Sequence, residues 1–164
     1  MAVIPRVLTA LEVASVCARL TGRRCTPRQV HYLLVAGGLG TDVRRRFNGQ
    51  TRLYGILDVA LVRLALRLQA EGVSPMVARV TLTYLRNDLT RAWKSGAALA
   101  LAIAGVHGSV QPALKARPAG AIAYVPLLEI WRGLEAELQK VCAARAHVWM
   151  WRPVPVDAVP RATG

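Results

Sequence analysis

The chain has 164 residues, of which 54% are hydrophobic, and its net charge is +13 because 22 Lys and Arg face nine Asp and Glu. The apolar content excludes a disordered polar chain, and the charge favours a polyanionic partner, either nucleic acid or an anionic membrane. The longest apolar run, Ala97 to Val106, is about half of the roughly 20 residues that a spanning helix needs, and the start of the chain lacks a signal-peptide pattern. We therefore expect a cytoplasmic protein with no membrane partner.

The basic residues are concentrated in one part of the chain. Residues 1–95 contain 15 of the 22 basic residues but only five of the nine acidic ones. Nearly all of these basic residues are Arg, whose planar guanidinium suits bidentate contacts with phosphate or guanine. The distribution therefore favours nucleic-acid binding by residues 1–95.

An amphipathic helix is predicted over residues 8–20, where apolar residues recur at near-helical spacing. Thr9 is placed to cap it, and Glu12 three residues later completes the pattern of a capping box. Gly22 is expected to end this helix.

A second helix is predicted over residues 26–37. Thr26 supplies a capping hydroxyl, Pro27 suits the first helical position, and Gly37-Gly38 ends the segment. Two short helices joined by a tight turn that contains glycine are typical of a helix-turn-helix unit.

A basic hairpin, or wing, is predicted over residues 43–54. Asn48-Gly49 is a strong hairpin signal, and it lies between two extended runs. The alternative is a solvated basic loop. The hairpin would bring together four cations, which are Arg44, Arg45, Arg46 and Arg52. These cations repel one another unless an anion lies nearby.

Two longer helices are predicted next. Residues 56–70 have apolar residues on one face and end before Gly72, and a second helix runs from Ser74-Pro75 to about Lys94. Gly96 follows it.

The pattern changes after Gly96. Two buried strands are predicted over 98–106 and 121–126, flanking a loop over 107–120, and a single helix is predicted from Leu127 to about Ala146. The chain is thus expected to be mainly α with small β. Its expected parts are a winged helix-turn-helix domain over 1–95, a small β-β-α segment over 96–151 and a flexible tail over 152–164.

A set of aromatic residues and one methionine lies within and just after the last predicted helix. Its residues could be core or could form a dimer or partner surface, and they are Trp131, Trp149, Met150 and Trp151. Because many helix-turn-helix proteins dimerise, we expect a homodimer in which residues 97–151 mediate self-association.

Several short motifs of the first half occur in an order that is specific as a set. They are Leu11-Glu12-Val13-Ala14, Thr26-Pro27-Arg28-x-Val30-His31-Tyr32, Gly38-Leu39, Arg52-x-Tyr54, Asp58-Val59 and Gly72-Val73-Ser74-Pro75. In this order they resemble the MerR-type winged helix-turn-helix family, over about half of the chain. The long coiled-coil helix of that family is missing, and no effector domain is recognisable. The resemblance therefore implies DNA binding, but neither effector sensing nor a coiled-coil dimer.

Candidate contacts to double-stranded DNA follow from this placement. Arg28 can pair with guanine and Gln29 with adenine, since the first residues of a recognition helix reach base edges. Thr26 and His31 could contact phosphate or base, and Tyr32 could contact a phosphate or be structural. The wing residues are expected to contact the DNA backbone, and they are Arg44, Arg45, Arg46, Asn48, Arg52 and Tyr54.

Enzymatic patterns are lacking. His31, His107 and His147 have no partners at metal-ligand spacing, the cysteines do not form a zinc or disulfide pattern, and no nucleophile or phosphate-loop motif occurs. We expect no cofactor, no metal and no catalysis. The leading hypothesis is a sequence-specific transcriptional regulator. The alternatives are an excisionase-like or phage DNA-packaging accessory protein, and a basic protein-interaction module.

Overall fold

The computed structural model describes residues 8–39, 44–45 and 52–150, of which 44–45 and 146–150 are described by their backbone alone. Over these ranges it contains six α-helices and two antiparallel three-stranded sheets, so the prediction of a mainly α protein with small β is confirmed. In chain order the elements are β1 (Leu8–Thr9), α1 (Ala10–Thr21), α2 (Pro27–His31) continued by a π-helical turn (Tyr32–Ala36), β2 (Arg44–Arg45), β3 (Arg52–Tyr54), α3 (Ile56–Ala70), α4 (Pro75–Ser95), β4 (Leu99–Ala104), β5 (His107–Pro112), β6 (Ala123–Pro126), α5 (Leu127–Trp131) and α6 (Leu134–Met150).

Helix α1 has the predicted caps. The Glu12 amide donates to the Thr9 hydroxyl at 3.3 Å, and the Thr9 amide donates to the Glu12 carboxylate at 2.7 Å. These reciprocal bonds confirm the capping box. Gly22 ends the helix with φ at 66°, a left-handed conformation that costs glycine no Cβ clash.

The first sheet has strand order β1-β3-β2. The central strand β3 pairs with β1 through Tyr54 opposite Leu8, and with β2 through Arg52 opposite Arg45. An antiparallel strand pair therefore lies within the predicted wing. Arg46 and the Asn48-Gly49 turn lie outside the described residues.

Helix α3 is central, and nine of its 15 residues are buried. Its bounds match the prediction. Its almost uninterrupted apolar sequence allows it to pack on several sides. Helix α4 also begins as predicted, with the Ser74 hydroxyl accepting from the Val77 amide at 3.3 Å, and it ends at Gly96. Its apolar face packs against α3.

The β-β-α prediction for the C-terminal segment was wrong in its strand count. The second sheet has order β5-β4-β6, and β5 occupies the first part of the predicted 107–120 loop. Its polar sequence resembles a loop because β5 is an edge strand with much of its surface exposed. Gly105, with φ at 62°, lies in the two-residue turn that joins β4 to β5.

The single helix predicted from Leu127 to Ala146 was also wrong, because the chain forms α5 and α6 instead. The break lies at Arg132, which is extended, and Gly133, which has φ at 76°. The Arg63 side chain of α3 donates to carbonyls that the break leaves without helical partners. Its Nη1 donates to the Ile130 carbonyl, and to the Arg132 carbonyl at 2.6 Å.

The hydrophobic core is continuous across the boundary predicted between residues 95 and 96. One cluster of buried residues includes members of α1, α3 and α4 together with members of β4, β6, α5 and α6. Trp93 of α4 donates its indole N–H to the Leu127 carbonyl at 3.2 Å, and its ring lies 6.0 Å from that of Trp131. Trp131 of the aromatic set is therefore half-buried in this core. The side chains of residues 149–151 lie outside the described part.

Among the described residues, no helix combines the length and apolar character needed to cross a bilayer.

Candidate nucleic-acid interface

Helix α2 begins with a second reciprocal capping box. The Gln29 amide donates to the Thr26 hydroxyl at 3.3 Å, and the Thr26 amide donates to Gln29 Oε1 at 2.9 Å. The predicted cap at Thr26 and the first helical position of Pro27 are confirmed. Gln29 thus uses its amide oxygen locally. Bidentate pairing with adenine needs both the oxygen and the nitrogen of the amide, so it requires this capping box to open.

The outer face of α2 and its π-helical turn carries Arg28 and Tyr32, which are one helical turn apart and both exposed. His31 is exposed on one side of this pair. The opposite face is buried through Val30 and Leu34. The buried face fixes the rotation of the helix, so Arg28 and Tyr32 point away from the core.

The structure brings several predicted contacts together in one groove of about 570 Å³. Arg28 and His31 of α2 line one wall, and Arg52 of β3 lines another. The start of α1, from Thr9 to Leu11, completes the groove. A helix and a strand that are 20 residues apart in the chain therefore present cationic side chains to a common space.

Gln29 lies on the other side of α2. It lines a separate groove of about 480 Å³ with Arg23, Arg24 and the α3–α4 turn. Arg23 and Arg24 are exposed in the turn between α1 and α2. The residues that were predicted to read guanine and adenine thus border different grooves.

Tyr54, one of the predicted contacts, is only 1% exposed and packs in the core. Burial raises the pKa of its hydroxyl. Tyr54 lies opposite Leu8 in the sheet and borders the groove that Arg28 and Arg52 line, but its burial leaves little of its side chain for a ligand to contact.

The β2–β3 ribbon concentrates positive charge. Arg45 and Arg52 are direct Cα partners, and Arg44 is opposite Leu53. Arg46 and Asn48 lie outside the described residues.

Three residues of α4 that sequence analysis missed hold the end of the second helix. Arg79 lies with its guanidinium carbon 4.8 Å from the centre of the Tyr32 ring. The Thr83 hydroxyl donates to the Arg79 carbonyl at 2.8 Å and lies 3.4 Å from the Gly37 carbonyl. Arg86 Nη1 donates to the Gly38 carbonyl at 3.2 Å. The only available signal was their spacing of four and three residues, which places them on one face of α4.

No group of three or more His, Cys, Asp and Glu in the described part of the chain could hold a metal ion. Cys17, Cys25 and Cys142 are free thiols, and burial raises the pKa of the Cys17 thiol.

Comparison with protein-family models finds no match for this chain, and comparison with curated proteins finds none either.

Proposed function

We propose that the chain is a sequence-specific double-stranded DNA-binding protein of the cytoplasm and nucleoid, and that it acts as a MerR-like transcriptional regulator. In this proposal α2 and its π-helical turn form the recognition helix. The β2–β3 ribbon forms the wing, and its cations contact the DNA backbone.

One observation carries the proposal, the groove shared by Arg28, His31 and Arg52. An exposed helix face beside a basic antiparallel ribbon offers a convex element for the major groove and cations for the flanking phosphates. The charge of residues 1–95 supports the same partner, since a basic surface binds DNA largely by releasing counterions.

The direct test begins with selection of a duplex from a randomised DNA pool by the full-length protein. Affinity for the selected duplex and for an unrelated duplex is then measured over a series of salt concentrations. We expect a preference for the selected sequence and a strong loss of affinity with salt. Equal affinity for all duplexes would contradict sequence-specific recognition, and no binding at low salt would favour a protein-interaction module. Selection of clustered direct repeats would favour the recombination accessory role.

Two substitutions separate the proposed roles of helix and ribbon. Arg28→Ala should reduce discrimination between the two duplexes by about 1–3 kcal/mol, because a base-edge contact is lost. Arg52→Ala, like Arg45→Ala, should weaken binding to both duplexes equally and reduce the salt slope by about one. Arg91→Ala is the charge-matched control, since Arg91 is 81% exposed in α4 and lies outside both the proposed recognition helix and the ribbon. Indistinguishable effects of Arg28→Ala and Arg52→Ala would contradict these assignments.

We also propose that residues 97–151 mediate homodimerisation. Strand β5 supports this, because among the described residues it pairs with β4 alone and leaves its other edge available. The outer side of β6 is occupied, since the Tyr124 amide donates to the Glu71 carboxylate at 3.1 Å. Light scattering at micromolar concentration should give the mass of a dimer, and a monomeric mass would contradict this part of the proposal.

A further inference from the structure

Arg79 reaches from α4 onto the exposed face of α2. Its guanidinium lies over the Tyr32 ring at 4.8 Å, within the distance at which a cation is attracted to an aromatic face. Tyr32 is 41% exposed and follows Arg28 by one turn on the same face. The stacked pair therefore lies on the surface that is proposed to face DNA.

Gly37 makes room for the Arg79 side chain. A Cβ at this position would lie 2.5 Å from Arg79 Cδ, closer than Cβ atoms come to other atoms, and 3.0 Å from Arg79 Cγ, which is tighter than most Cβ contacts. The backbone of Gly37 does not need glycine, because its φ of −82° is open to any residue. Glycine at this position therefore leaves space for the Arg79 side chain. It also avoids a close contact with the Leu33 carbonyl, which would lie 2.7 Å from a Cβ.

Contact with the ring leaves the donors of Arg79 available. It uses the positive charge of the guanidinium, and among the described residues none accepts a hydrogen bond from its planar fork of N–H groups. No carboxylate among the described residues forms an ion pair with Arg79. Arginine fixed in this way is suited to bind a phosphate, since its planar fork matches two phosphate oxygens.

We propose that Arg79 is a DNA phosphate contact supplied by α4, and that Tyr32 is the platform that orients its guanidinium. This inference rests on the proposed DNA binding. In this inference Tyr32 acts by orienting Arg79, which is distinct from a contact between its own hydroxyl and a phosphate. It also extends the interface beyond α2 and the ribbon.

The test measures the salt dependence of affinity for the selected duplex. Arg79→Gln should lower affinity about tenfold and reduce the salt slope by about one, as expected when one charged phosphate contact is lost. Arg91→Gln is the matched control. It removes the same charge from the same helix, where Arg91 is 81% exposed and forms an ion pair with Asp88 at 3.8 Å, and it should leave the slope unchanged.

The platform role is tested by a double-mutant cycle. Tyr32→Leu should lower affinity and slope in the same direction as Arg79→Gln, whereas Tyr32→Phe, which keeps the ring, should match the unmodified protein. The combined Arg79→Gln/Tyr32→Leu variant should bind no more weakly than Arg79→Gln, because both changes remove the same contact. Additive effects would show that the two residues act independently and would overturn the platform role.

The remaining outcomes are distinguishable. If Arg79→Gln weakens binding without changing the slope, Arg79 acts on structure alone and the phosphate contact is rejected. Thermal unfolding of every variant controls for folding, and Arg79→Lys, which keeps the charge, should preserve the slope even if packing is disturbed. If the unmodified protein binds no duplex, the proposed function fails first and this inference fails with it. If the unmodified protein binds and Arg79→Gln has no effect, this inference alone fails.

Discussion

Arg145 binds the Glu12 carboxylate through two hydrogen bonds, from Nε to Oε1 at 2.7 Å and from Nη2 to Oε2 at 2.6 Å. Glu12 also caps α1, so a single carboxylate joins the start of α1 to α6. A second link is formed where Arg19 of α1 pairs with Glu137 of α6 at 2.5 Å. The last helix thereby braces α1, the first helix of the proposed helix-turn-helix unit.

Glu12 should make the stability of the protein depend on acid pH. Burial alone would raise its pKa, but hydrogen bonds from Arg145 and Thr9 outweigh burial and hold the pKa below 4.5. The stability that comes from a lowered pKa is fully present above the pKa of the group in the unfolded chain. It is lost as the pH falls through the pKa of the group in the folded protein. The difference in unfolding free energy between the native protein and Glu12→Gln should therefore be constant above about pH 5 and shrink below about pH 4.

Urea unfolding at several pH values measures this difference. Glu12→Gln keeps an oxygen that can accept from Thr9, so it removes the charge while retaining the cap. We expect a loss of about 1 kcal/mol at neutral pH. Arg145→Gln should give a loss of similar size and abolish the effect of Glu12→Gln. A difference between the native protein and Glu12→Gln that is independent of pH would contradict this account.

Thr26→Ala should destabilise the protein by about 1 kcal/mol, because the Gln29 amide loses its capping acceptor. Thr26→Ser keeps the hydroxyl and should be close to neutral. Thermal unfolding compares the two variants. Equal unfolding temperatures for Thr26→Ala and Thr26→Ser would show that the cap contributes little.

Gly108→Ala should destabilise the packing of β5 on α4. A Cβ there would lie 2.4 Å from Thr81 Cγ2 and 3.1 Å from Leu85 Cδ1. We expect a cost of about 1–3 kcal/mol, typical of overpacking. Thr81→Ser removes the closer methyl group, so it should reduce the cost of Gly108→Ala in the double variant. Strict additivity in denaturant unfolding would contradict this contact.

Gly133→Ala tests the break between α5 and α6. Alanine at φ of 76° should cost about 1 kcal/mol, because the left-handed conformation is unfavourable with a Cβ. If residues 127–146 instead formed one continuous helix, the same substitution would raise helix propensity and stabilise the protein. The sign of the change in unfolding free energy distinguishes the two structures.

Sequence patterns predicted the elements whose causes are local. The capping box at Thr9 and the cap at Thr26 each depend on a residue three positions later in the chain. The bounds of α3 depend on its apolar sequence. Such features are determined before the chain makes any distant contact. The elements predicted wrongly depend on distant residues. Strand β5 is polar and forms because β4 pairs with it, and the break before α6 is stabilised by Arg63 of α3.

The candidate site divides in the same way. The sequence by itself determined an exposed helix that carries Arg28 and His31, and a run of arginines in the segment that follows. Only the tertiary structure decided that Arg28 and Arg52 share a groove, that Gln29 borders another and that Tyr54 is buried. It also brought Arg79 onto Tyr32 and Arg145 onto Glu12. The physical reason is that helix caps and periodicity act over a few residues, whereas these pairs form only when the shared core fixes how the helices pack.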